Sequence, residues 1–320
     1  MSNAIRRAAE ILRAGGLVAF PTETVYGLGA DASSAAAMAR LYRVKRRPSD
    51  HPVIVHFASP GHAFAWAREV PEVARRLAQR FWPGPLTLVL LRSGLAQDFV
   101  TGGTDTIGIR VPSHPVARAM LEEFAKTGRE PSGSGVAAPS ANRFGRVSPT
   151  TAAHVRVDLG ADVDVILEGG ASEVGIESAI VDFSRGRPAL LRPGHITREA
   201  LEEALGEPVA LRDEEPPRHS GGLERHYAPA TPARLVPSHA LDAEIAKLDA
   251  RAAVLAFSKP DERVDYWLRM PRDPQGYAQR LYAALRELDG AACEAILIEA
   301  PPDEPAWRAV RDRLERAAGG

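Results

Sequence analysis

Apolar positions along this chain keep two rhythms. Short runs rich in β-branched residues or leucine read as strands: LVAF at 17–20, VIVHF at 53–57, LTLVLL at 86–91, TIGIRV at 106–111, VDVI at 163–166, SAIVDF at 178–183 and ALLR at 189–192. Between them the apolar residues recur every three or four positions. Ile5, Ala8, Ala9 and Leu12 mark a helix over 3–14 that Gly15 and Gly16 stop, and Met38, Leu41 and Tyr42 mark another, capped by Ser33 or Ser34. One long helix is expected from His62 to Trp82, ended by Pro83, Gly84 and Pro85, and further helices over 116–126, 150–159 and 196–205. Residues 128–149 are rich in Gly, Pro and Ser, with only VAA at 136–138 resembling a strand. After a proline-rich, charged stretch at 206–232 the pattern simplifies to ARLVPS, a helix near 240–249, AAVLAFS, a helix near 274–288, EAILIEAP and a helix near 304–317.

That alternation predicts an α/β protein of two domains. The larger spans 1–205, a linker spans 206–232, and 233–320 form a smaller, parallel, Rossmann-like α/β domain. A chain of 320 residues is long for one core, which fits two. A hydrophobic fraction of 45% and a charged fraction of 25% are ordinary globular values, and a formal net charge of −1 gives no general attraction to nucleic acid. Any basic patch is therefore local. The single cysteine, Cys293, excludes an internal disulfide and a cysteine-cluster zinc site. No apolar run approaches the ~20 residues that span a bilayer, and the N-terminal segment lacks a signal-peptide core, so a soluble cytoplasmic protein with no membrane contact is expected.

Candidate chemistry concentrates in residues 17–57, where two strands flank PTETVYGLG and a cationic run at Arg43, Lys45, Arg46 and Arg47. GLGADA reads as a glycine-bearing turn between a strand and a helix and matches a dinucleotide fingerprint, but six residues part it from the preceding strand. Cations also stand where an acid should meet the ribose, which argues against a nicotinamide oxidoreductase. There is no G-x-x-x-x-G-K-[ST] loop, no G-x-S-x-G, no H-E-x-x-H and no carboxylate-rich metal loop. Phosphates would thus be held by side-chain cations, with arginine forking onto two oxygens and lysine acting as a point charge. Arg110 and Arg192 end predicted strands, so convergence of those ends would gather several cations. Taken alone, the basic run reads first as a solvated helix end, and Ser140, Asn142, Ser148 and Ser178 read first as turn chemistry. A cationic cleft that binds RNA without catalysis is the reading of a different class.

The segments PTETVYGLGADA, KRRPSDHPVIVH, PGPLTLVL, GIRVPSHP, APSAN, GIESAIVD, LRPG and HYAP, in this order, resemble the YrdC-like family of threonylcarbamoyl-AMP synthases over roughly residues 5 to 229. The added C-terminal α/β domain resembles the long, two-domain form. The resemblance implies a twisted mixed sheet with helices, curled around a concave cationic cleft. The activity it implies joins L-threonine, bicarbonate and ATP, with Mg²⁺ carried by ATP, into L-threonylcarbamoyladenylate and pyrophosphate. Partner proteins would then transfer the threonylcarbamoyl group to tRNA, with room for a weak contact with tRNA or double-stranded RNA.

Carried over residue by residue, the resemblance makes Lys45 and Arg47 the catalytic pair. With Ser140 and Asn142 they would face the ATP phosphates and the carbamate. It assigns Thr24, His56, Ala138 and Ser178 to L-threonine. To the nucleotide it assigns Arg47, His51, Thr106, Arg110, Ser140, Asn142, Ser148, Arg192, Arg218 and Tyr227, the last two on a linker that folds over the cleft. No protein metal site is implied. His51 stands where the family usually has asparagine, SGGL where many relatives carry proline-glycine-methionine, and Ala179 where a threonine is common.

Overall fold

The computed structural model describes residues 2–126, 134–211, 221, 226–248, 252–264 and 266–319. They form two compact units: Met1–Arg143, Pro149–Glu173 and Glu177–Gly222 make the first, and Phe144–Ser148, Val174–Ile176 and Leu223–Gly320 the second. Among the described residues no helix is long and apolar enough to cross a membrane.

The first unit is built on a mixed ten-stranded sheet. Its strands are β1 (Val18–Phe20), β2 (Gly27–Asp31), β3 (Ile54–His56), β4 (Leu86–Leu91) and β5 (Thr106–Arg110), then β6 (Val136–Ala137), β7 (Val165–Ile166), β8 (Ala179–Asp182), β9 (Ala189–Arg192) and β10 (Ala210–Leu211). They lie in the order β10-β9-β8-β4-β5-β3-β6-β2-β1-β7. Pairing is parallel for β3 with β5 and for β4 with β8, and antiparallel for β4 with β5 and for β8 with β9. The carboxyl ends of β3, β5 and β9 therefore share one edge with the amino ends of β4 and β8. Alternation then sorts side chains. Ile107 and Ile109 enter the main core, while Thr106, Gly108 and Arg110 share the opposite face.

Helices cover the core side for local reasons. In α1 (Ser2–Arg13) the buried positions are Ile5, Ala8, Ala9 and Leu12, and the Gly15 backbone at φ 83° turns the chain out of the helix. In α2 (Ala35–Lys45) the Ser34 hydroxyl caps the Ala37 N–H at 3.3 Å.

Two expectations change. GLGAD is not a turn leading into a helix but strand β2, paired antiparallel with β1. Its glycines serve packing: a Cβ on Gly29 would lie 3.0 Å from both the Phe20 ring and Val136, and one on Gly27 3.2 Å from Ala138. The single helix expected from His62 to Trp82 is two, α3 (Pro60–Ala65) and α4 (Glu72–Phe81). Between them Ala67 bridges Arg92, the Arg68 N–H donates to Leu91 O at 2.8 Å, and Pro71, which has no N–H, opens α4. Pairing with the sheet edge interrupts the helical ladder there.

The second unit carries a four-stranded, all-parallel sheet in the order β11 (Ala233–Val236), β14 (Ala295–Glu299), β12 (Ala252–Ala256), β13 (Tyr266–Arg269). Helices α5 (Leu241–Ala246), α6 (Pro274–Asp289) and α7 (Arg308–Ala318) accompany it. Sequence pattern missed β13, because YWLR lacks a clean apolar run and its side chains stay partly exposed. Phe257, Tyr277 and Trp307 form a mutual cluster with ring centroids 5.6–5.7 Å apart.

Candidate active site

The site is assembled from strand ends and the loops that leave them. Helix α2 closes with Arg46 in the left-handed region at φ 52°, its N–H on Arg43 O, and with the Arg47 N–H on Tyr42 O at 3.0 Å. This reversal separates the four cations. Arg43 and Arg46 stay exposed, whereas Lys45 and Arg47 turn inward to 1% and 8% exposure.

The Lys45 ammonium donates to two backbone carbonyls, Ser140 O at 2.5 Å and Asn142 O at 2.6 Å. Burial, with the Arg47 and Arg143 charges adding to it and Asp158 opposing, holds its pKa well below the ordinary lysine value. Arg47 donates through Nη2 to Pro52 O at 2.8 Å and through Nε to His51 O at 3.4 Å, fixing the turn that enters β3. His51 is half-buried, and its Nε2 lies 4.0 Å from Asp50. Ser140 bridges Gly27 of β2, and the Ala138 N–H donates to Ile54 O, so the S-x-N loop runs along the entry of β3.

The exit of β3 lies about 7 Å further on, two residues' rise away. There His56 pairs in register with Arg110 of β5. Burial and the neighbouring Arg110 hold the His56 imidazole well below its ordinary value, so the ring is neutral at pH 7, and its Nδ1 is buried without a hydrogen-bond partner.

Arg110 is the hub of a buried network. Its Nη2 donates to Glu23 Oε1 at 2.6 Å and to Thr24 Oγ1 at 2.9 Å, and its Nε to Gly84 O at 3.3 Å. Glu23 also accepts the Ser113 N–H at 3.1 Å, and Thr22 and Thr24 share a hydroxyl contact of 2.8 Å. Burial pushes the Glu23 carboxyl up, but the Arg110 charge and the bonds from Arg110 and Ser113 outweigh it and leave the pKa lowered. Loop 21–26 starts and ends on the adjacent strands β1 and β2, yet contacts β5, beyond β6 and β3. It therefore overhangs the sheet face.

A second network spans β9, the entry of β8 and β4. Arg192 ends β9 and donates to Ser178 O at 3.0 Å and Ser178 Oγ at 3.2 Å, and Ser178 Oγ meets Thr87 Oγ1 at 2.8 Å. A register shift between Ile180 and Val181 helps aim Arg192 back at Ser178. The strand ends carrying Arg110 and Arg192 thus lie on one edge, with buried Glu23 as the counter-charge of Arg110. Ile54, Val89, Ile180 and Leu191 form a small apolar cluster on the strands between these groups. Thr106 shares the face of Arg110 but stands at the other end of β5, about 13 Å along the strand.

Pattern alone missed Thr22, Glu23, Gly84 and Thr87. The available signals were an acid inside PTETVYG and a lone hydroxyl inside LTLVLL. Ser148 and Tyr227 belong to the second unit. There Ser148 is fully buried, and the Tyr227 ring, at φ 60°, packs against Tyr282 at 5.8 Å and under the Arg313 guanidinium at 5.5 Å. Arg218 lies outside the described residues. Among the described residues no group of three or more His, Cys, Asp or Glu side chains could hold a metal ion.

Comparison with known proteins bears on this geometry. A family model described as telomere recombination, covering Sua5, YciO and YrdC proteins, matches residues 10–194. A second, described as threonylcarbamoyl-AMP synthase, C-terminal domain, matches residues 196–319. The threonylcarbamoyl-AMP synthase of Bacillus subtilis is 39% identical over 99% of this chain and 93% of its own length, and that of Pyrococcus abyssi 37% identical over 98% and 94%. A crystal structure of Pyrococcus abyssi Sua5 complexed with L-threonine superposes with a TM-score of 0.90 at 36% identity, covering 100% of this chain and 95% of that one.

Proposed function

This chain belongs to the two-domain threonylcarbamoyl-AMP synthase family, and we propose that it uses the face described above to join L-threonine, bicarbonate and ATP into L-threonylcarbamoyladenylate with release of pyrophosphate. Two bond-forming steps are required. The threonine amine adds to the carbon of CO₂, formed from bicarbonate by loss of hydroxide, and loses a proton, which that hydroxide takes up as water, giving a carbamate. A carbamate oxygen then forms a bond to the α-phosphorus of ATP as the bond to the β-phosphate bridge breaks. Both partners of the second step are anions, so the step needs fixed positive charge and little water.

The observation that carries the reading is the buried set of cations at strand ends. Lys45, Arg47, Arg110 and Arg192 are all nearly inaccessible to bulk water, and each is aimed by a backbone carbonyl or a hydroxyl. Low local dielectric strengthens their fields on a bound polyphosphate. Thr24, neutral His56 and Ser178 supply the short-range polar groups suited to an amino acid bearing its own hydroxyl, with Ala138 adding apolar contact. Arg47, His51, Ser140 and Asn142 would meet the phosphates, with Lys45 holding the S-x-N loop as well as supplying charge. Arg110, Arg192 and, at the far end of β5, Thr106 would line the rest of the nucleotide. Mg²⁺ enters as the counter-ion of ATP, which needs no protein carboxylate cage. The protein works in the cytoplasm and hands its product to proteins that modify tRNA.

Pyrophosphate release is the test. With ATP, Mg²⁺, L-threonine and bicarbonate together, steady release is expected, and omission of any one should abolish it. Release indifferent to threonine and bicarbonate would overturn the reading, and salt-sensitive RNA binding without turnover would replace it with the non-catalytic one. Lys45→Ala or Arg47→Ala should each remove most of the activity.

A further inference from the structure

Loop 21–26 lies wholly within the first unit and holds a relay of hydroxyls whose protons have only one possible arrangement. Thr22 and Thr24 are 2% and 1% exposed. Thr22 Oγ1 lies 2.6 Å from Val25 O. Two oxygens that close need a proton between them, and a carbonyl has none, so Thr22 donates its single hydroxyl proton to Val25 O. Thr22 Oγ1 also lies 2.8 Å from Thr24 Oγ1. The Thr22 proton is already committed, so the proton of this second contact is that of Thr24. The Thr24 and Val25 N–H groups face Thr22 Oγ1 at 3.3 and 3.2 Å and reinforce its role as an acceptor there. On the other side of Thr24, Arg110 Nη2 donates to Oγ1 at 2.9 Å and fills one lone pair. Arg110 is itself held by Glu23, and Glu23 by the Ser113 N–H. The Thr24 hydroxyl is left with no proton to give and one lone pair to offer, and among the described residues nothing takes that lone pair.

We propose that Thr22 is a positioning residue for the amino-acid substrate: by taking the Thr24 proton it commits Thr24 to accept, so that Thr24 meets a donor of L-threonine, its amine or its hydroxyl, and never a carboxylate oxygen. The inference rests on the proposed place of Thr24 beside L-threonine. A free hydroxyl turns to suit whatever approaches it, as donor or as acceptor. One whose proton is fixed does not turn, and it rejects a carboxylate or phosphate oxygen by leaving two acceptors face to face. Such a filter suits a face where carboxylate, carbamate and phosphate oxygens are all drawn to buried cations. A bond from the amine would also outlast the first step, because the nitrogen keeps one hydrogen when the carbamate forms. Without the Thr22 oxygen, the Thr24 proton loses its acceptor and turns toward the ligand, donor against donor.

The experiment uses the full chain as wild type, Thr22→Val and Thr22→Ser, with Thr22→Ala in place of the valine variant if that one does not fold. Calorimetry measures the affinities for L-threonine, for L-α-aminobutyrate, which lacks the hydroxyl, and for (R)-β-hydroxybutyrate, which lacks the amine. Thr22→Val should weaken L-threonine about ten-fold, the scale of one lost hydrogen bond. Thr22→Ser keeps the oxygen and should bind L-threonine within about two-fold of wild type. The loss in Thr22→Val should persist with one analogue and vanish with the other, and the analogue with which it vanishes lacks the group that Thr24 accepts from. Unchanged L-threonine affinity in Thr22→Val, or an equal loss in Thr22→Ser, would overturn the relay. So would a loss that persists with both analogues, since a distorted loop penalises every ligand alike, or one that vanishes with both. A wild type that binds L-threonine yet releases no pyrophosphate would refute the synthase reading and leave Thr22 to be judged on these affinities, whereas one that does not bind L-threonine would overturn both.

Discussion

Glu23 offers the sharpest test of how the site is held together. Its carboxylate and the Arg110 guanidinium lie 2.6 Å apart with side-chain exposures of 4% and 5%. At an effective dielectric near 20 such a pair attracts by about 6 kcal/mol before desolvation is counted. Both charges were taken out of water to make the contact, so the net worth of the pair is small. The cost of removing one partner is large, because the other is left buried and uncompensated. Glu23→Gln keeps the shape and one acceptor but removes the charge, and should destabilise the protein by about 3–5 kcal/mol in urea unfolding at pH 7. Arg110→Met should cost a similar amount, and the double variant less than the sum by about 1–3 kcal/mol. The pH dependence has a definite sign. Because the folded-state pKa is lowered, the unfolded chain takes up the proton first on acidification. The wild-type advantage over Glu23→Gln is then complete at neutral pH and shrinks as pH falls through the carboxylate range. A cost below about 1 kcal/mol, or strict additivity in the cycle, would refute the view that Glu23 is the counter-charge that makes the cationic face foldable.

Lys45→Met carries the opposite pH signature. Because burial lowers the folded-state pKa, the folded protein gives up this proton at a lower pH than the unfolded chain does, so wild-type stability relative to this variant should rise with pH towards the ordinary lysine value, read from urea midpoints between pH 7 and pH 9.5. A gap that is flat or narrows with pH would show that the ammonium is not desolvated on Ser140 O and Asn142 O. Arg46→Gly removes the side-chain penalty of a left-handed residue at φ 52° and should raise stability by up to about 1 kcal/mol in thermal melts. A loss of stability would mean that the exposed Arg46 side chain contributes contacts that outweigh its backbone strain.

Much of this architecture is legible in the chain itself, because apolar periodicity records which side of each element is buried. VIVHF, LTLVLL, TIGIRV, AIVD and ALLR became strands near where their β-branched and leucine runs stand. The simple alternation after residue 232 became a parallel sheet. The motifs, taken together, pointed to the family that the comparisons then established. What periodicity cannot carry is anything decided by a partner distant in sequence. The helix from His62 breaks because Ala67 and Arg68 meet β4 and its extension, and no residue in that helix announces the strand beside it. GLGAD reads as a turn until Phe20 lies across its glycines.

The site divides in the same way. The sequence determined that cations, hydroxyls and a histidine stand at the ends of apolar runs, since residue type and spacing are local facts. Tertiary structure alone decided which cations are buried and what each one holds. Lys45 and Arg47 turn inward while Arg43 and Arg46 do not, because the chain reverses at φ 52° where the carbonyls of 140, 142, 51 and 52 are waiting. Glu23 became essential only when residues 87 positions apart were brought within 2.6 Å. Charge is written in the sequence, but its solvation and its counter-ion belong to the fold.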